Sequence, residues 1–291
     1  MESLSELRAK VQLPVRRYND VAGMLLGDHL SIHVTRLFVA WRISPTVATL
    51  SMLVCGLAGS VLLVFDGGWA VAGFALVLAY YVFDCVDGEV ARYHRIERLI
   101  WGYHDFLFHL YVKVAFFTCL GIYAARFTGQ TWTFFLPYAA LIGVLFQKFQ
   151  NELTNLLVCR YVLLRGRGES EQFVEQLAGG VGEEEPASEG WLESEEAPTR
   201  FEGFLPLMRA ALTNFDLAVA LFLVAAIADL WLSPFAIWTL YGNCKIALVL
   251  FYGFILPLDF LDRLWSYLRD HGFERDARRL LRRAHHFRVR R

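Results

Sequence analysis

The sequence predicts an all-α integral membrane protein, with six transmembrane helices and an N-terminal amphipathic helix lying at the interface. Three observations carry that prediction. The 291-residue chain is 56% hydrophobic, 15% aromatic and only 20% charged, with a mean hydropathy of +0.39, a balance too apolar for an ordinary soluble domain. Its apolar residues fall into six runs near the length of about 20 residues that a helix needs to cross a bilayer. Its Lys and Arg residues crowd one set of connections, as cytoplasmic loops do.

Each element follows in order. "LLGDHLSIHVTRLFVAWRI" mixes apolar and basic residues and reads either as the interfacial helix or as the ordinary basic flank of a membrane protein. Spans 1 and 2 cover 43–65 and 69–83, are uncharged, and are separated by Asp66 and two glycines. Span 3 covers 106–125, and span 4 runs from Phe127 to about Cys159, uncharged until Lys148. Span 5 covers roughly 210–228 with Asp216 inside it, and span 6 covers 234–258 with Lys245 inside it. The short connections at 66–68 and 229–233 imply antiparallel neighbours. Three regions result: a cytoplasmic segment 1–44, a membrane domain 45–258, and a basic tail 259–291. The membrane domain holds a glutamate-rich stretch at about 165–205 that reads as a mobile cytoplasmic loop.

Orientation follows from the basic residues. Arg8, Lys10, Arg16, Arg17, Arg36 and Arg42 precede span 1, Arg92, Arg95 and Arg98 follow span 2, and ten arginines lie between Arg263 and Arg291. The opposite side offers Arg126 alone. Both termini and the loop after span 2 are therefore expected on the cytoplasmic side of an inner membrane of bacterial or archaeal type. The first residues hold no early apolar run, so no cleaved signal peptide is expected. Five scattered cysteines without a CxxC pair read as small apolar residues, neither a disulfide frame nor a zinc site. The basic tail suits anionic headgroups, and nothing suggests a nucleic-acid partner.

Ionisable residues within spans are costly and mark function. Asp84, Asp87, Asp105, His109, Lys113, Lys148, Glu152, Asp216 and Lys245 are such residues, and the deduced topology puts nearly all of them in the cytoplasmic half, with Lys245 nearest the midplane. Asp84 and Asp87 share a helix face, as do Asp105 and His109. Gly88 and Ala91 remove side-chain bulk along the first pair's face, where phosphates could approach the backbone. Arg92 offers a planar fork suited to a pyrophosphate. Clustered carboxylates repel one another unless cations join them, and hard oxygen ligands favour Mg²⁺ or Mn²⁺, as a pair. Carboxylates, metals, a small-residue patch and an arginine together describe a phosphoryl-transfer site.

"DCVDGEVAR" (84–92) resembles the first half of the signature of the CDP-alcohol phosphotransferases, D-x2-D-G-x2-A-R followed by G-x3-D-x3-D. "PTVAT" (45–49) looks like the family's P-N-x-x-T opening of span 1, and the resemblance extends from about residue 20 to 258. It implies that Asp84, Asp87 and Asp105 hold the metals and that Asp84, Gly88, Ala91 and Arg92 line the CDP site. The second half departs from the pattern. Trp101 stands where the second glycine belongs, with Gly102 one place later, and His109 stands on the fourth aspartate. That aspartate is thought to deprotonate the acceptor hydroxyl, so His109 has three readings: the catalytic base, a further metal ligand that weakens a preference for Mg²⁺, or the mark of an inactive site.

Lys113, Lys148 and Lys245 are candidates for the acceptor pocket, against snorkelling or structural hydrogen bonding. The resemblance further implies a homodimer. The expected function is transfer of a substituted phosphate from CDP-diacylglycerol or a CDP-aminoalcohol to an alcohol, one partner being a lipid, with release of CMP in phospholipid synthesis. The alternatives are a catalytically inactive CDP-alcohol- or lipid-binding membrane protein on the same fold, and a transporter.

Overall fold

The computed structural model of the chain describes residues 3–14, 27–96, 99–146, 148–149, 156, 212–232 and 244–269. The glutamate-rich stretch, Glu152, and the tail beyond 269 lie outside the described residues. Among the described residues all regular structure is helical. Helices α1 (Leu4–Val11) and α2 (Asp28–Ala40) precede α3 (Pro45–Leu62), α4 (Gly68–His94), α5 (Leu99–Thr128), α6 (Thr131–Phe146), α7 (Phe215–Leu232) and α8 (Cys244–Arg269). Four stretches among the described residues, Pro45–Leu62, Gly68–His94, Tyr103–Thr128 and Cys244–Trp265, are long and apolar enough to cross a membrane. Length and composition thus fit a membrane protein. α6 is shorter, so the expectation of six spans is met only in part.

Local chemistry starts and stops these helices. Ser3 caps α1: its hydroxyl accepts the Glu6 N–H at 3.3 Å while the Glu6 carboxylate accepts the Ser3 N–H at 2.9 Å, a reciprocal capping box. The Ser3 backbone N–H and then its hydroxyl hold the Glu6 carboxyl below its ordinary value. α3 opens with Pro45 in its first turn, where a missing N–H removes no helical bond. The α3–α4 turn passes through Gly67 at φ +63, a left-handed conformation that glycine adopts without steric cost. Arg95, at φ +54, ends α4 in the same region.

Packing depends on small and aromatic residues. A Cβ on Gly59 would lie 2.7 Å from the Gly73 carbonyl oxygen, so α3 and α4 meet backbone to backbone. In lipid, where apolar burial drives little association, such close approach is what packs helices. α7 docks through Phe222, stacked on Phe74 with centroids 5.4 Å apart, and through Phe215, edge-on to Phe116 at 5.2 Å. The outward positions are apolar too: Leu50, Val54, Leu57 and Val61 on α3 are exposed, as lipid-facing positions should be.

The chain divides into two compact units. The first joins Met1–Leu141 to Leu205–Leu256 and contains all of α1 to α5 and α7. The second joins Ile142–Phe204 to Pro257–Arg291. Within it the Phe146 and Phe260 rings lie 5.1 Å apart, and Arg263 Nε donates to Asp259 Oδ2 at 2.6 Å. This partition interleaves distant segments of the chain.

Candidate metal centre

α4 and α5 bring the two halves of the motif together. His109 Nε2 lies 3.1 Å from Asp84 Oδ1 and 3.3 Å from Asp105 Oδ1. One ligand atom from each of Asp84, Asp105 and His109 falls within 4.8 Å of the others, an arrangement that could hold a metal ion. The Asp105 side chain is 41% exposed, but its Oδ1 atom is itself shielded from solvent and has no hydrogen-bond partner. A buried carboxylate oxygen without a donor is costly, and a cation beside it would remove that cost. The donor set therefore fits a divalent ion. On its other edge, His109 Nδ1 meets the hydroxyl of Tyr80, with the rings edge to face at 5.5 Å.

Asp87 stands outside this triad. Its Oδ2 accepts from Thr49 Oγ1 at 3.0 Å, and the same hydroxyl lies 3.1 Å from the Pro45 carbonyl. Thr49 closes the "PTVAT" segment, so the start of α3 abuts the motif helix.

A cavity of about 210 Å³ adjoins the triad, lined from α4 by Asp84, Cys85, Gly88, Glu89 and Arg92 and from the N-terminal region by Gln12 and Asp28. Gly88 leaves room for the guanidinium: a Cβ there would lie 3.1 Å from Arg92 Nη1. Arg92 Nε donates to the Val11 carbonyl at 2.7 Å. Ala91 is on the same helix but is not among the lining residues.

Glu89 is only 2% exposed. Its Oε1 accepts from Gln12 Nε2 at 2.8 Å and from Ser31 Oγ at 2.5 Å, and its Oε2 accepts from Thr35 Oγ1 at 2.6 Å. Three donors make a buried carboxylate tolerable, and they come from three places: the end of α1 and two turns of α2. The knot pins both N-terminal helices to the motif helix.

The three lysines go to different places. Lys113, one turn beyond His109, holds its ammonium 5.4 Å from the centre of the Phe215 ring. Lys148 belongs to the second unit. Lys245 is not brought to the metal centre. It is 2% exposed at the opposite end of α4, with Nζ 2.6 Å from Asp66 Oδ1, 3.8 Å from Asp229 Oδ2 and 4.9 Å from the Tyr123 ring centre. Asp229 also accepts the Cys244 N–H at 2.6 Å and the Lys245 N–H at 3.2 Å, capping α8. Burial alone would raise the Asp66 carboxyl, but hydrogen bonds from Lys245 and the Gly67 N–H, with the Lys245 charge, hold it below its ordinary value.

Sequence reading passes over Tyr80, Glu89 and Gln12. Tyr80 could have been found from spacing, because it precedes Asp84 by four residues and so shares its helix face. Glu89 could have been found by continuing span 2 past Asp84, which would have made it another acid on a membrane helix. Gln12 carries no comparable signal. No protein-family model matches the chain, and no curated protein matches it.

Proposed function

We propose that this chain is a polytopic membrane transferase of the CDP-alcohol phosphotransferase type, moving a substituted phosphate from a CDP-linked donor to an alcohol. One observation carries the reading: Asp84, Asp105 and His109 converge within 4.8 Å, beside a cavity walled by Gly88 and Arg92. A divalent ion held there would neutralise charge that builds on the transferring phosphate. Arg92, with Nε engaged by Val11, keeps its terminal N–H groups for the diphosphate. Gly88 lets that diphosphate approach the helix backbone. The acceptor hydroxyl oxygen bonds to the β-phosphorus, the bond from that phosphorus to the CMP oxygen breaks, and the hydroxyl proton passes to a basic group of the cluster.

The donor is CDP-diacylglycerol or a CDP-aminoalcohol, and one of the two substrates is a lipid. The distribution of Lys and Arg supports six spans with this site and both termini on the cytoplasmic side, and the family resemblance supports a homodimer and Mg²⁺ or Mn²⁺ as the ion. Purified protein in detergent, given each CDP-alcohol with an alcohol and Mn²⁺ or Mg²⁺, should release CMP. Asp87→Asn should slow release by on the order of 100-fold or more, the usual effect of deleting one charge-stabilising group. No release from any CDP-alcohol would overturn the transferase reading. A CDP-alcohol that raises thermal stability only with a dication, and is never turned over, would instead identify a binding protein.

A further inference from the structure

His109 is where the motif leaves an all-carboxylate pattern, and its two ring nitrogens meet different surroundings. Nε2 points to the focus shared by Asp84 Oδ1 and Asp105 Oδ1, at 3.1 Å and 3.3 Å. Nδ1 points to the hydroxyl of Tyr80, a side chain 1% exposed and held within the helix packing. A neutral imidazole carries its proton on one nitrogen and a lone pair on the other. With the proton on Nε2, the hydrogen bond goes to Asp84, and the buried Asp105 Oδ1 still has no partner. With the proton on Nδ1, the Tyr80 oxygen accepts it, and the Nε2 lone pair joins two carboxylate oxygens around one point. Three electron-pair donors facing one point repel unless a cation sits there. Once the cation is present, the second arrangement gives both ring nitrogens and both carboxylate oxygens a partner. It is also the arrangement by which metal-binding histidines are oriented, through a hydrogen bond at the nitrogen remote from the metal.

We propose that His109 is a metal ligand through Nε2, with Asp84 and Asp105, and that Tyr80 is the positioning residue that fixes its tautomer and ring plane. This assignment rests on the metal-dependent reading of the site. It changes the class of ion, because an imidazole in place of a carboxylate moves preference from Mg²⁺ toward transition-metal dications such as Mn²⁺, Co²⁺ and Zn²⁺. It also removes His109 as the base that accepts the hydroxyl proton, since both of its ring nitrogens are committed.

The test uses the full chain in detergent with Mn²⁺ as the probe, read by pulsed electron paramagnetic resonance. The unsubstituted protein should show bound Mn²⁺ coupled to a nitrogen nucleus, and that coupling should vanish in His109→Asp, which restores an all-carboxylate set. Tyr80→Phe should keep the coupling but weaken Mn²⁺ binding about 10- to 100-fold, the usual effect of deleting such a supporting group. Mg²⁺ should compete poorly with Mn²⁺ in the unsubstituted protein and well in His109→Asp. Mn²⁺ bound without nitrogen coupling, or no Mn²⁺ bound, overturns the assignment, and neither outcome depends on a variant that must fold. The two readings separate cleanly: CMP release without nitrogen coupling sinks the ligand assignment alone, and nitrogen coupling without CMP release sinks the transferase reading alone.

Discussion

Glu89 shows how one side chain can carry more of a site than its place in a motif suggests. It sits between Asp87 and Arg92, and its carboxylate is held in a knot of Gln12, Ser31 and Thr35. Exchanging it for glutamine keeps the shape but replaces an acceptor with a donor, leaving hydroxyl and amide protons opposed. Glu89→Gln should cost about 1–3 kcal/mol, read as a lower unfolding temperature in detergent, and should speed proteolytic cleavage of the N-terminal segment. An unchanged unfolding temperature would show that the knot does not hold the N-terminal helices. The motif residues Asp84, Asp87, Gly88 and Arg92 were legible in the sequence because their spacing fits one chemistry. Glu89 was not, because an acid past the end of an assumed span reads as a loop residue. Tyr80 was not, because a buried aromatic in an apolar run looks like packing.

At the scale of elements, the apolar runs found the helices and misjudged their ends. Span 2 was expected to stop at residue 83, and α4 continues to His94. Charges end a membrane helix only if they must reach water; Asp84, Asp87 and Glu89 find partners on α5, α3, α2 and the end of α1, so the helix runs on through them. The connection expected at 66–68 falls at 63–67, three residues earlier at its start, because the chain leaves the helix before the Asp66 and glycine pair that marks the turn. The α3–α4 contact depends on a missing side chain, which a sequence shows only as composition. Gly59→Ala puts a methyl group 2.7 Å from a backbone oxygen and should cost about 1–3 kcal/mol by forcing the helices apart. Gly68→Ala, which meets nothing within 4 Å, should change stability by less than about 0.5 kcal/mol. Equal unfolding temperatures for the two variants would refute tight α3–α4 packing.

Across the first unit, charge is gathered at both ends of α4 by different means. One end gathers acids and a histidine around a point suited to a cation; the other supplies its own cation, Lys245, to Asp66 and Asp229. Sequence reading put Lys245 nearest the midplane and among the acceptor-pocket candidates because hydropathy gives depth only roughly and says nothing about which helix end faces which. The ion pair has a definite pH signature. The Asp66 carboxyl lies below its ordinary value in the folded chain, so its contribution is complete above the unfolded value near 3.9 and is lost as pH falls through the lower, folded value. Asp66→Asn should lower the unfolding temperature at neutral pH and flatten its decline below about pH 4. The same acid decline in both proteins would show that the pair adds nothing.

The length of α4 has a consequence for depth. At about 1.5 Å per residue, its 27 residues span about 40 Å, against a hydrocarbon layer of about 30 Å. If Gly68 marks one edge of that layer, Asp84 lies about 24 Å along the axis and Arg92 about 36 Å. The other edge then falls between them, at the level where lipid phosphates rest. On the proposed function, a lipid substrate would meet the candidate metal centre without being lifted from its leaflet, and a water-borne partner would meet it without entering the oil.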